Sequence, residues 1–125
     1  MAEGYEPRPM DGYIGSIYFG DTHHANINEV ENAYYIQIGR VVIIRLTFSV
    51  LTTITDSEAV LFSGLPKSTV YMRFRILPTG RSNNTTIPRL AIDTNGNILN
   101  QWTQNNDVHG ITPGWYEGQG VYICA

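Results

Sequence analysis

Cysteine is almost absent from this 125-residue chain, in which Cys124 is the only one. A single thiol cannot form an internal disulfide, so the fold does not depend on an oxidising compartment. No apolar run approaches the roughly 18 to 20 residues that a membrane-spanning helix needs, and no signal-peptide pattern is present. We therefore expect a soluble chain that does not insert into a membrane.

Charge is also scarce, since charged residues make up 15% of the chain and the formal net charge is -3. A surface for nucleic acid or for an anionic membrane needs a basic patch, which this balance does not provide. We therefore expect no nucleic-acid partner. With 42% apolar residues, the surface must be built largely from uncharged polar side chains, which is typical of all-β proteins.

Helical periodicity is missing too, and a period of two takes its place. After a predicted turn at Gly39-Arg40, apolar residues at every even position from Val42 to Val50 alternate with a second set that includes Arg45 and Thr47. Such alternation predicts a strand with one buried face. The odd positions also include Val41 and Ile43, so we expect that face to be covered by the chain or by a neighbouring copy.

Turn signals divide the rest of the chain into short strands. We predict strands at 13–19, 34–38, 59–63, 70–76, 89–94, 97–103 and 121–124, with polar loops at 79–86 and 104–114. Asn95-Gly96 predicts a hairpin with a type I′ turn, which has positive φ at both central residues. Seven to nine strands imply a β-sandwich or a closed barrel. We expect an antiparallel, jelly-roll-like β-sandwich over residues 13–125, preceded by an extended arm or linker at residues 1–12.

Two predicted loops interleave aromatic and polar residues, as saccharide binding requires. An aromatic ring offers its face to the C–H groups of a sugar, while amides and carboxylates bind the hydroxyls. The alternative is that both tryptophans are core or subunit-interface residues. The candidate ligand-binding residues are Trp102, Asn105, Asn106, Asp107, His109, Trp115, Tyr116 and Glu117.

Other polar residues suggest weaker sites. His23 and His24 could form a metal site with His109, but adjacent residues of an extended chain point to opposite faces, so we expect no metal. Arg45, Arg73 and Arg75 could bind a phosphate or carboxylate of an anionic glycan, or could instead pair with Asp or Glu across the sheet or a subunit boundary.

Catalysis has no support in the sequence. Asp56, Glu58, Asp93 and Asp107 could be read as catalytic carboxylates, but spacing cannot place two of them across a cleft. No nucleophile elbow, P-loop or triad pattern occurs. We therefore expect a protein that is not an enzyme and that uses no cofactor.

Four landmarks follow one another along the chain: a strand ending in Phe-Gly, a Tyr-x-x-Ile-Gly-x-x-Val hairpin, a Gly-Leu-Pro turn and an Asn-Gly hairpin. Their residues are Tyr18-Phe19-Gly20; Tyr35, Ile38, Gly39 and Val42; Gly64-Leu65-Pro66; and Asp93-Thr94-Asn95-Gly96. This order resembles the C-terminal domain of bacteriophage tail-fibre, tailspike and baseplate proteins, in which the last hairpin is Asn-Gly or Asp-Gly. The resemblance covers most of the chain after residue 13.

The resemblance implies a homotrimeric, non-enzymatic component of the virion, an adhesin on the phage tail that faces the host. Its partners would be a host cell-wall polysaccharide or teichoic acid and, through the N-terminal arm, other tail or baseplate proteins. Two alternatives stay open. One is a structural module for trimerisation, capsid decoration or baseplate assembly without a ligand, and the other is a carbohydrate-binding module of a bacterial enzyme.

Overall fold

The computed structural model describes residues 14–82, 87–101 and 110–125. These residues form nine strands and no helix, which confirms the predicted all-β class. Because the described part contains no helix, it contains none that could span a membrane. The strands are β1 (Ile14–Tyr18), β2 (Ile27–Ile38), β3 (Val41–Val50), β4 (Val60–Phe62), β5 (Met72–Arg75), β6 (Leu77–Pro78), β7 (Arg89–Ile92), β8 (Ile98–Asn100) and β9 (Gly114–Ile123).

The strands form two antiparallel sheets. The five-stranded sheet has the order β1-β2-β3-β9-β6, and the four-stranded sheet has the order β4-β8-β7-β5. Only Ile76 separates β5 from β6, so the chain passes from one sheet to the other at that residue. This crossing brings Arg75 to the boundary between the two sheets.

The hairpin of β2 and β3 has the predicted turn, although β2 begins at Ile27, well before the predicted strand at 34–38. Ile38 pairs with Val41 across a two-residue loop. Gly39 has a φ of 60° while Arg40 has no positive φ, as in a type II′ turn, whose twist suits a hairpin. Val42, Ile44, Leu46 and Phe48 are completely buried. The predicted division of β3 into a buried and an outer face is therefore confirmed.

The core joins the inner faces of the two sheets. Phe62 of β4 lies edge-on to Phe48 of β3, with 5.4 Å between ring centroids, and edge-on to Phe19 at 5.8 Å. All three aromatic side chains belong to one cluster of buried residues that includes strands of both sheets. Edge-to-face rings of this kind add to the stabilisation that burial provides.

The predicted strand at 70–76 is shorter than expected and excludes Val70. Strand β5 begins at Met72, and the Val70 side chain is 60% exposed. The Ser68 hydroxyl donates a hydrogen bond to the Val70 carbonyl at 2.6 Å and accepts one from its N–H at 3.3 Å. A serine that binds nearby backbone groups competes with the ladder of a sheet, so the inclusion of Val70 in the predicted strand was wrong.

The hairpin at Asn95-Gly96 exists, but its turn differs from the predicted type. Gly96 has a φ of 83°, and Glu58 is the only non-glycine residue in the described ranges with positive φ. One carboxylate oxygen of Asp93 accepts hydrogen bonds from the N–H groups of Asn95 and Asn97, each at 2.9 Å. This Asp-centred loop requires positive φ at the glycine alone, so the predicted type I′ turn was wrong.

Strand β9 is much longer than the predicted strand at 121–124. It runs for ten residues antiparallel to β3. The pairing extends from Val50 opposite Gly114 at one end to Val41 opposite Ile123 at the other. Its inner face carries Gly118, where an added Cβ would lie 2.6 Å from Ile76 Cγ2. Glycine weakens the sequence pattern of a strand but permits the close approach of another backbone.

Candidate functional site

The outer face of the five-stranded sheet, turned away from the core, is apolar at one end. Six β-branched side chains of three neighbouring strands lie there in two rows, which we call the apolar end. They are partly or largely exposed, and Val121 reaches 56%. The apolar end consists of Ile36, Ile38, Val41, Ile43, Val121 and Ile123.

Next to the apolar end the same face becomes polar and forms an open groove. Arg45 pairs with Gln119 and Thr47 pairs with Glu117 across β3 and β9, so these four side chains share the outer face. Leu77 of β6 pairs with Glu117 on its other side. The groove has a volume of about 560 Å³, and its walls are formed by Arg45, Thr47, Arg75, Leu77, Glu117 and Gln119.

Arg75 enters the groove because of the crossing between the sheets. Its carbonyl oxygen lies 3.2 Å from the position that a Cβ on Gly118 would occupy. Arg45 and Arg75 therefore belong to different sheets, yet both line the groove together with Gln119.

The two groove arginines differ from Arg73 and Arg81 in having no partner among the described residues. Within residues 14–82, 87–101 and 110–125, neither Arg45 nor Arg75 makes a side-chain hydrogen bond or has a carboxylate within 4 Å. Arg73 instead donates to Gln101 at 3.2 Å and lies over the Tyr71 ring. The expected pairing of these arginines with carboxylates across the sheet does not occur in those ranges.

Trp115 lies two residues before Glu117 on the same face of β9. Its backbone N–H donates a hydrogen bond to the Ser82 hydroxyl at 3.1 Å. The Arg81 guanidinium stacks 4.2 Å from the centre of its ring and is bound by both oxygens of Glu31, at 2.7 and 2.9 Å. One face of the tryptophan is therefore covered by an ion pair, and the side chain is partly buried.

The structure separates three site residues that the sequence placed together in a loop. Trp115, Tyr116 and Glu117 belong to strand β9, so alternate residues point to opposite faces. Tyr116 is completely buried, packs against Phe48, and its hydroxyl donates to the Thr112 carbonyl at 2.6 Å. Tyr116 therefore belongs to the core, while Glu117 lines the groove. The other candidates, Trp102, Asn105, Asn106, Asp107 and His109, lie outside the described residues.

Glu58 and His24, considered above as a catalytic carboxylate and a metal ligand, make local hydrogen bonds. Glu58 accepts hydrogen bonds from Tyr71 at 2.9 Å and from Gln101. Burial and then this bond raise the pKa of Tyr71 to about 12. The N–H of Asn26 donates to His24 Nδ1 at 3.0 Å. In the described parts of the chain no three His, Cys, Asp or Glu side chains are grouped as metal ligands.

Sequence reasoning missed half of the groove. Arg45, Arg75 and Glu117 were each considered, but nothing connected them. Thr47 and Gln119 were not singled out, because only the register of β3 against β9 brings them to the groove. The resulting set of guanidinium, amide, hydroxyl and carboxylate groups suits the binding of a polar, uncharged or acidic ligand. No family model, curated protein or solved structure matches this chain.

Proposed function

We propose that this chain is a non-enzymatic receptor-binding domain of a phage tail fibre or baseplate, which recognises a host-surface saccharide through the outer face of its five-stranded sheet. The observation that carries the proposal is the groove, whose walls are hydrogen-bonding side chains held on adjacent strands. The ordered landmarks shared with phage tail domains support the virion setting and a location on the side that faces the host.

The chemistry of the groove suits a sugar chain. Glu117 accepts hydrogen bonds from hydroxyl groups, Gln119 both donates and accepts, and Leu77, 53% exposed, offers apolar contact. The side chains project from paired strands, so their spacing is set by the sheet rather than by a loop. A rigid site of this kind costs little ordering entropy when a ligand binds.

The first prediction is that Glu117→Ala weakens binding to host wall polysaccharide at least about fivefold, because one or more hydrogen bonds to an ionised acceptor are lost. The measurement is the binding of the purified protein to wall polysaccharide prepared from a panel of bacteria. Asp56→Ala is the matched control, since it removes the same charge from an exposed carboxylate outside the groove. Equal affinities of the two variants would contradict a site at Glu117.

The apolar end supports a further part of the proposal, which is self-association. Six β-branched side chains on one sheet face form an exposed patch of the kind that marks protein contacts. We propose that they contact neighbouring copies in a homotrimer of jelly-roll-like sandwiches, and that residues 1–12 bind other tail or baseplate proteins. The same patch would suit the alternative function, a structural trimerisation, capsid decoration or baseplate assembly module without a ligand.

The second prediction is that Val121→Glu lowers the mass of the assembly to that of a monomer, because it places a charge in an apolar contact. Light scattering after size-exclusion chromatography measures the mass. Val70→Glu is the control, since Val70 is similarly exposed, at 60% against 56%, but lies outside the apolar end. A native protein that is strictly monomeric would refute the trimer in both versions of the function, and a trimer that binds no wall polysaccharide would favour the structural module.

A further inference from the structure

Building on the proposed function, we infer that the groove recognises an acidic saccharide, whose singly charged oxyanion is held between Arg45 and Arg75. The oxyanion is the carboxylate of a uronic acid or the phosphate of a sugar phosphodiester. Both present two or more oxygens to a guanidinium, which can bind them through paired N–H donors. Hydroxyls of the same sugar unit would contact Glu117, which is exposed in the groove.

The placement of the two arginines fits a shared anion. Arg45 on β3 and Arg75 at the end of β5 both line the groove, together with Gln119 on β9. Two long arginine side chains on the walls of one groove can bind the same anion, and the N–H₂ group of Gln119 supplies a further donor.

The electrostatic setting of the groove favours an anion as well. Arg45 and Arg75 are exposed, and neither guanidinium has a protein partner in the described ranges. Arg81, which stacks on Trp115 of the same sheet face, is paired instead: both carboxylate oxygens of Glu31 accept hydrogen bonds from its guanidinium. Among the residues that the structure describes, the groove thus holds two unpaired positive charges and one carboxylate, that of Glu117.

Glu117 limits where the anion can lie. Glu117 pairs with Thr47 of β3, in the row next to the Arg45–Gln119 pair. Glu117 and Arg45 are therefore diagonal neighbours, and such residues are about 7 to 8 Å apart. The carboxylate therefore faces the neutral part of a ligand whose charge lies between the arginines. A site with one anion-binding end and one hydroxyl-binding end matches a sugar that carries its acidic group on one side.

General attraction to anions cannot produce the same result, because the chain as a whole is acidic, with a formal net charge of -3. Binding of an anionic polymer must then depend on the groove arginines rather than on total charge. Arg73 offers the matched control for this distinction. It belongs to the same strand as Arg75, yet it is held by Gln101 and Tyr71 and does not line the groove.

The experiment compares the native protein with Arg45→Gln, Arg75→Gln and the control Arg73→Gln. Four probes are used: bacterial wall polysaccharide, a polyuronate, poly(glycerol phosphate) and neutral dextran. Calorimetric titration measures affinity at low and at physiological salt, and thermal melting checks that each variant is folded. Wall polysaccharide and at least one of the two anionic polymers should bind, and which of them binds identifies the oxyanion.

We expect each groove substitution to weaken binding at least about tenfold, the range of a hydrogen bond to a charged group, and the Arg73 control to change it less than about threefold. Binding should also weaken as salt is raised. If dextran competes as well as the anionic polymers, or the groove variants bind wall polysaccharide normally, the acidic ligand is refuted while the proposed saccharide function stands. If no probe binds, wall polysaccharide included, both are refuted.

Discussion

Replacing Gly96 with alanine is expected to destabilise the protein by more than about 3 kcal/mol. Gly96 has a φ of 83°, a conformation that costs an L-residue about 1 to 2 kcal/mol. An added Cβ would also overlap the carbonyl oxygen of Leu65. The Leu65 N–H donates to the Gly96 carbonyl at 3.1 Å, so the hairpin between β7 and β8 is bound directly to the Gly-Leu-Pro turn. Relief of the overlap must separate these two backbones.

Gly64→Ala is the matched control for this prediction. Gly64 has a similar φ of 95°, but nothing lies within 4 Å of the position of its Cβ. We expect a loss of about 1 to 2 kcal/mol from backbone conformation alone. Urea unfolding of both variants gives the two free energies of unfolding. Equal losses would mean that the contact between Gly96 and Leu65 does not constrain the fold.

Phe62→Ala is expected to lower the free energy of unfolding by about 3 to 5 kcal/mol, the usual cost of removing a buried aromatic ring. The Phe62 side chain is completely buried and lies edge-on to Phe48 and Phe19. Because Phe62 belongs to the four-stranded sheet and Phe48 to the five-stranded sheet, the substitution opens a cavity where the two sheets meet.

Val60→Ala tests whether that loss comes from the core rather than from the strand itself. Val60 belongs to the same short strand, β4, but is 46% exposed. We expect its truncation to cost less than about 1 kcal/mol, because little buried surface is lost. Chemical unfolding of the two variants provides the comparison. Similar losses at both positions would show that the ring cluster does not hold the sheets together.

The parts of the fold that could be predicted depend on local patterns. Strand β3 was identifiable because its apolar residues alternate without interruption, and Gly39-Arg40 marks the preceding turn. Val70 fits the same alternation, yet its conformation is decided by the Ser68 hydroxyl. A side-chain hydrogen bond that ends a strand early leaves no mark in the apolar pattern.

The groove could not be predicted because it depends on contacts between distant segments. Gly114, Gly118 and Gly120 interrupt the pattern of β9, and without that strand the residues 115–117 were read as a loop. The strand alternation then removes Tyr116 from the candidate surface and keeps Glu117. Arg75 reaches the groove only because the chain changes sheets at Ile76, a feature of tertiary packing that no local pattern in the sequence encodes.

The most direct test of the binding surface is an NMR titration of the isotope-labelled protein with a wall polysaccharide to which the protein binds. The side-chain Nε–H signals of Arg45 and Arg75 and the backbone N–H signals of residues 117–119 should shift as ligand is added. The Nε–H signal of Arg73, which is bound to Gln101 on the other sheet, should stay in place. Shifts at Arg73 and Tyr71, with the groove arginines unmoved, would contradict a ligand site on the outer face of the five-stranded sheet.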